Sequence, residues 1–104
     1  MEDSIFSLAG YQRSFLKRMA HHLKPVVMLG QAGLTPEIIK AVDQSLGSHE
    51  LIKLKFQDFK SDRRVLSEEI ARKTGAQFIS LVGNILILFR HNYDIEDQIR
   101  LPKK

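Results

Sequence analysis

Hydrophobic positions along the chain switch from a helical to an extended period three times, and the last switch is followed by a second strand. Leu8, Phe15, Leu16, Met19 and Leu23 fall on one side at 100° per residue and predict a helix from about Leu8 to His22. Val26 to Leu29 is a β-branched and aliphatic run bounded by Pro25 and Gly30, which predicts a buried strand. A second helix, about Pro36 to Leu46, carries Ile38, Ile39, Val42 and Leu46 on its apolar face. Thr35 suits its N-cap, Pro36 its first position, and Gly47 the residue that ends it. Leu51 to Phe56 alternates. Ile52, Leu54 and Phe56 point one way, and Leu51, Lys53 and Lys55 point to a wetter face. A third helix lies between about Ser61 and Lys73, with Val65, Leu66, Ile70 and Ala71 as its apolar positions and Gly75 at its end. Phe78 to Val82 and Ile85 to Arg90 flank Gly83-Asn84, a two-residue hairpin signal. Ile85 to Phe89 is apolar throughout, as expected of a central strand covered on both faces.

The order is therefore αβαβαββ. A helix between two strands favours parallel pairing and a right-handed crossover, while the closing hairpin is antiparallel. The expected fold is α/β, of the two-layer α+β kind, with a four-stranded mixed sheet whose strand order the sequence leaves open. Residues 1–7 read as an N-terminal extension, 8–90 as the folded domain, and 91–104 as a loop and basic tail of a kind that is often poorly ordered.

With 104 residues, 43% hydrophobic and 27% charged, the chain has the make-up of a single globular domain. No apolar run approaches the roughly 20 residues of a membrane span. The acidic start Met1-Glu2-Asp3-Ser4 is unlike a secretory signal, and a cytoplasmic location is expected. The absence of cysteine excludes disulfides, thiolate metal sites and a thiol nucleophile. The net charge of +4 is modest, but its distribution is not uniform. Between Asp3 and Glu37 there is no acid, while the same window holds Arg13, Lys17, Arg18, His21, His22 and Lys24. Arg13, Lys17 and His21 follow at i, i+4 and i+8, without the interleaved carboxylates that a merely solvated helix face usually carries. Such a one-signed surface suits a polyanion.

Strand, glycine turn and helix start follow one another at Gly30-Gln31-Ala32-Gly33-Leu34-Thr35-Pro36-Glu37. Glycines let a foreign backbone come close, and the N–H groups of a first helical turn attract phosphate. A Gly-x-x-Gly loop clamps the nucleic-acid backbone in KH domains. The motif is short, and its bland reading is a tight strand-to-helix connection.

Several spaced stretches share a family resemblance: Ala20-His21-His22-Leu23-Lys24-Pro25-Val26-Val27, Gly30-x-x-Gly33-Leu34-Thr35, His49-Glu50-Leu51-Ile52-Lys53-Leu54-Lys55, Thr74-Gly75-Ala76, and the Gly83 hairpin closing on Leu88-Phe89-Arg90. Over residues 8–90 the chain resembles the CRM domain (chloroplast RNA splicing and ribosome maturation), in its stand-alone bacterial YhbY form. The resemblance implies a fold similar to the C-terminal domain of translation initiation factor three. It also implies RNA binding through the Gly-x-x-Gly loop and nearby bases, and association with precursors of the large ribosomal subunit. Gln31 and Ala32 depart from loops that carry Lys or Arg between the glycines, so affinity must come from backbone N–H groups and flanking cations. Phe89 stands where the family is expected to have Tyr.

The expected RNA-binding residues are Arg13, Lys17, Arg18, His21, Lys24, Gly30, Gln31, Ala32, Gly33, Thr35, Lys53 and Lys55. The expected partner is ribosomal RNA of a large-subunit precursor, with ribosomal proteins as further candidates; no cofactor, metal, membrane or small-molecule substrate is expected. Phe56, Phe78 and Phe89 read as core, so no aromatic stacking platform is expected. No catalytic residue is expected either: Gly-x-Ser-x-Gly, Walker and His-Glu-x-x-His motifs are missing. Adjacent His21 and His22 diverge on a helix, His49-Glu50 suits a strand start, and Glu68-Glu69 suits a solvated face. Two other readings stay open: an adaptor whose basic face meets an acidic protein, and a small-subunit translation factor.

Overall fold

In the computed structural model of the chain, which describes residues 4–58 and 61–103, three helices pack on one four-stranded sheet. After a 3-10 turn at Ser4–Phe6 come α1 (Gly10–Ala20), β1 (Pro25–Leu29), α2 (Pro36–Ser48), β2 (Leu51–Phe56), α3 (Arg63–Thr74), β3 (Gln77–Val82) and β4 (Ile85–Phe89). The order of elements is the expected one. The strand order, which the sequence left open, is β1-β2-β4-β3. β1 and β2 are parallel, and β4 is antiparallel to both β2 and β3. β4 is thus a central strand, and Leu86, Leu88 and Phe89 are buried on its two faces as expected. β1 is an edge strand.

Two cores lie on opposite faces of the sheet. Val27, Leu29, Ile52, Leu54, Phe56, Phe78, Leu86 and Leu88 meet α2 through Val42 and Leu46 and α3 through Ile70 and Ala71. Leu51, Ile79, Ile87 and Phe89 meet α1 through Leu16 and Ala20. The helices therefore make three layers rather than the expected two, because α1 crosses to the other face. That placement also buries Leu51, which alternation had assigned to the wetter face with Lys53 and Lys55. Both flanks of residues 8–90 are packed: Ile5 is buried in the main core, and Ile99 and Leu101 lie against the second.

Local differences have local causes. α2 runs through Gly47 to Ser48 and ends at His49, whose extended backbone (φ −136°) leaves the helix. Gly75 does close α3, in the left-handed region at φ 70°. Val65 is 68% exposed, because Leu66 and Ile70 take the inward positions of α3. Val26 and Met28 are 51% and 52% exposed, so β1 is covered on one face only.

Two polar locks close the end of the sheet where β2 begins and β4 ends. Arg90 Nη1 donates to Asp43 Oδ1 at 2.6 Å and to the Thr74 carbonyl at 2.7 Å, and its Nη2 donates to the Asp43 carbonyl at 3.0 Å. One guanidinium thus ties α2 to the C-terminal end of α3. Glu50 is buried, and its carboxylate accepts from the Asn92 N–H at 2.8 Å, from the Ile99 N–H, and from His91 Nδ1 at 2.7 Å. These bonds fold the segment after β4 back onto the body.

Candidate nucleic-acid interface

The turn Gly30-Gln31-Ala32-Gly33 closes with the Gly33 N–H donating to the Gly30 carbonyl at 3.0 Å. Gly33 has φ 73°, a conformation that costs any residue with a Cβ. Gly30 has no such need, and a Cβ there would meet Gln57 Oε1 at 3.5 Å, an ordinary contact. Of the two glycines only Gly33 is dictated by the backbone.

The helix N-terminus beyond the turn is less open than the sequence implied. The Thr35 N–H donates to the Gly33 carbonyl at 3.1 Å, the Ile38 N–H donates to Thr35 Oγ1 at 3.2 Å, and Pro36 has no N–H. Thr35 therefore acts as a cap, which occupies its side chain. Gln31 and Ala32 are exposed, and their N–H groups hold no bond among the described residues. The donors left for an anion are those of the turn itself and the Glu37 N–H in the first turn of α2.

Cations run from α1 to the start of β1 and on to β2. Lys17, Arg18, His21 and His22 line an open cleft of about 520 Å³ with Ser14 on the outer side of α1. Lys24 follows just before β1. It is exposed, and from there to Gly30 the strand covers about 20 Å at some 3.3 Å per residue. Lys24 and the turn therefore stand at opposite ends of β1. Lys53 and Lys55 lie between them, because Lys53 pairs with Pro25 and Lys55 with Met28. In-register residues of parallel strands share a face, so both lysines are on the α1 side of the sheet.

Not all these charges are free. Arg13 Nη1 donates to the Leu8 carbonyl at 2.9 Å and is half-buried. Lys53 Nζ donates to the Leu23 carbonyl at 3.0 Å and the His21 carbonyl at 3.4 Å, where it offsets the negative end of α1. Lys17, Arg18, Lys24 and Lys55 have no partner among the described residues. The ion pairs found there, such as Arg64–Glu68 at 2.7 Å and Lys73–Glu69 at 3.9 Å, gather on α3 and near the chain's end, away from this track. A linear polyanion is the ligand such a track can neutralise. The face also holds aliphatic carbon that hydrophobic periodicity does not reveal: Met28 and Val26 depend for their exposure on β1 being an edge.

Phe56, Phe78 and Phe89 are buried, as expected. Among the described residues no group of three His, Asp or Glu is placed to hold a metal. Glu50, the carboxylate beside His49, is committed to the three donors named above.

The sequence model of the CRS1/YhbY (CRM) domain matches residues 8–90. The chain belongs to this family. A Haemophilus influenzae relative of the CRM chain, named an RNA-binding protein, is 39% identical over 94% of this chain and 98% of its own. The Bacillus subtilis protein YqeI, named a probable RNA-binding protein, is 31% identical over 91% and 99%. A hypothetical Staphylococcus aureus protein, described with its solution structure as an RNA-binding candidate, superposes with a TM-score of 0.78 at 28% identity, covering 91% of this chain and 99% of its own. The α+β fold of three helices on a four-stranded mixed sheet is thus shared with that protein.

Proposed function

We propose that this protein binds RNA through the track that runs from the outer side of α1, past Lys24 and Lys55, to the Gly30–Gly33 turn. The observation that carries the reading is the set of unpartnered cations on α1, before β1 and on β2, together with a turn whose N–H groups are open. Membership of the CRM family and relatives named as RNA-binding support it. The contacts are to phosphate, with the turn setting the position of the strand. Ribosomal RNA in a precursor of the large subunit is the proposed partner, met in the cytoplasm, and the protein acts there by binding and not by catalysis.

Co-sedimentation tests this reading. The protein should travel with large-subunit precursors in a sucrose gradient and leave them on nuclease treatment. Sedimentation with small-subunit particles would favour the translation-factor reading instead. Retention by a protein complex after nuclease treatment would favour the adaptor.

A further inference from the structure

β1 pairs Met28 with Lys55, β4 pairs Ile85 with Lys55, and β3 pairs Val82 with Ile85. These four residues form one row across the sheet on the α1 side. α1 covers the neighbouring rows through Leu51, Ile79, Ile87 and Phe89; Ile85 is partly buried against that core, while the two ends of the row are open. Met28 and Val82 at its two ends are 52% and 58% exposed, and Val26 adds to the same edge at 51%. The row spans three strand spacings, about 14 Å, and begins two residues before the Gly30–Gly33 turn. Gln57 sets its amide against Met28, with Nε2 at 3.2 Å from the sulfur, and is exposed.

We propose that this row is a platform for the unpaired bases of single-stranded RNA whose backbone lies on the turn and on Lys55. The inference rests on the RNA-binding reading above and adds a specificity to it. A base has an apolar face and a polar edge. Methionine and valine side chains can cover the face, and an amide can reach the edge. Base faces are presented this way only where RNA is unstacked, because in an A-form helix they are stacked on one another. Charge fits as well. Lys55 has no partner among the described residues and sits inside the row, so phosphate can reach it while bases cover the aliphatic carbon. An aliphatic surface of this size beside a basic edge is otherwise left wet, which is unfavourable.

Affinity for an unstructured RNA and for a duplex of the same length separates the possibilities. If phosphate alone were read, the duplex would win, because its charge is denser. The platform predicts the opposite for the native chain, with the single strand bound about tenfold or more tightly, the scale of burying one aliphatic side chain. Met28→Asn/Val82→Asn should lose about that tenfold on the single strand and change little on the duplex. Both side chains are exposed; each single variant, with circular dichroism as a control, serves if the double one is unstable. Lys17→Glu/Arg18→Glu should weaken both RNAs alike. A duplex bound as tightly as the single strand, or single-strand affinity untouched in the polar variants, overturns the platform. A native chain that binds neither RNA at low salt overturns the RNA-binding reading itself.

Discussion

The salt dependence of RNA binding can be worked out from the charges. Lys17, Arg18, Lys24 and Lys55 are free to meet phosphate, while Arg13 and Lys53 would have to give up carbonyls they already hold. Each phosphate neutralised on a single strand contributes about −0.7 to the slope of log K against log salt, so four contacts give about −2.8. A rise from about 50 to about 200 mM salt should then weaken binding about fifty-fold. Lys17→Glu/Arg18→Glu removes two contacts, which lowers the slope to about −1.4 and the loss to about sevenfold. Both residues lie in the last turn of α1, where acids oppose the helix dipole by up to about 1 kcal/mol each. Lys17→Gln/Arg18→Gln removes the contacts with less of that penalty. Fluorescence anisotropy titrations of a labelled single-stranded RNA, at a series of salt concentrations, give the slopes directly. A slope near zero in the native chain, or an unchanged slope in both double variants with intact helicity, would refute the assignment of these cations.

The two glycines of the turn should behave differently. Gly33→Ala is forced to keep φ 73° and should cost about 1 kcal/mol, whereas Gly30→Ala should be close to neutral. Equal melting temperatures for the two variants would contradict this. Lys53→Met removes the donor at the end of α1 and should cost about 1 kcal/mol, yet leave the salt slope of RNA binding unchanged, since Lys53 is not among the free cations. Glu50→Ala strands three donors. Bonds to a charged acceptor are worth about 1.5–3 kcal/mol each, and release of the segment to water returns part of that, leaving a net loss of about 3 kcal/mol. Urea unfolding should show it, and the amides of Asn92 and Ile99 should exchange faster; protection equal to the native chain's would count against the lock.

The elements were legible because their period is a local property, and so were the turn and the charged stretch of α1. What the sequence left open depends on neighbours far away in the chain. A four-residue apolar run such as Val26–Leu29 has the same appearance at an edge as in the middle of a sheet, so the exposure of Met28 could not be foreseen. Leu51 looks wet by alternation and is buried only because α1 crosses to its face. Glu50 carries no spacing signature, since the amides it holds are 42 and 49 residues away. The candidate site was legible as a list of charges and glycines, but not as a track. Lys24 and the turn are six residues apart in sequence and at opposite ends of β1, and Arg13 and Lys53 are committed to carbonyls.

Along the strands, the polar locks and the proposed base platform lie at opposite ends. Arg90 and Glu50 do their work at the end where β2 begins, Glu50 held by half-buried partners and Arg90 by the Thr74 carbonyl and the exposed Asp43. At the other end lie the Gly30–Gly33 turn, Gln57 and the Gly83-Asn84 hairpin, joined by the Phe56 N–H donating to the Asn84 carbonyl at 2.8 Å and Asn84 Nδ2 donating to the Phe56 carbonyl at 3.3 Å. These last bonds fix the backbone of the open end without using the side chains of Met28, Lys55 or Val82. A surface held in place by main-chain bonds can change its side chains at little cost to the fold. Substitutions there should move RNA affinity while leaving the unfolding free energy within about 0.5 kcal/mol, and substitutions at Arg90 or Glu50 should do the reverse.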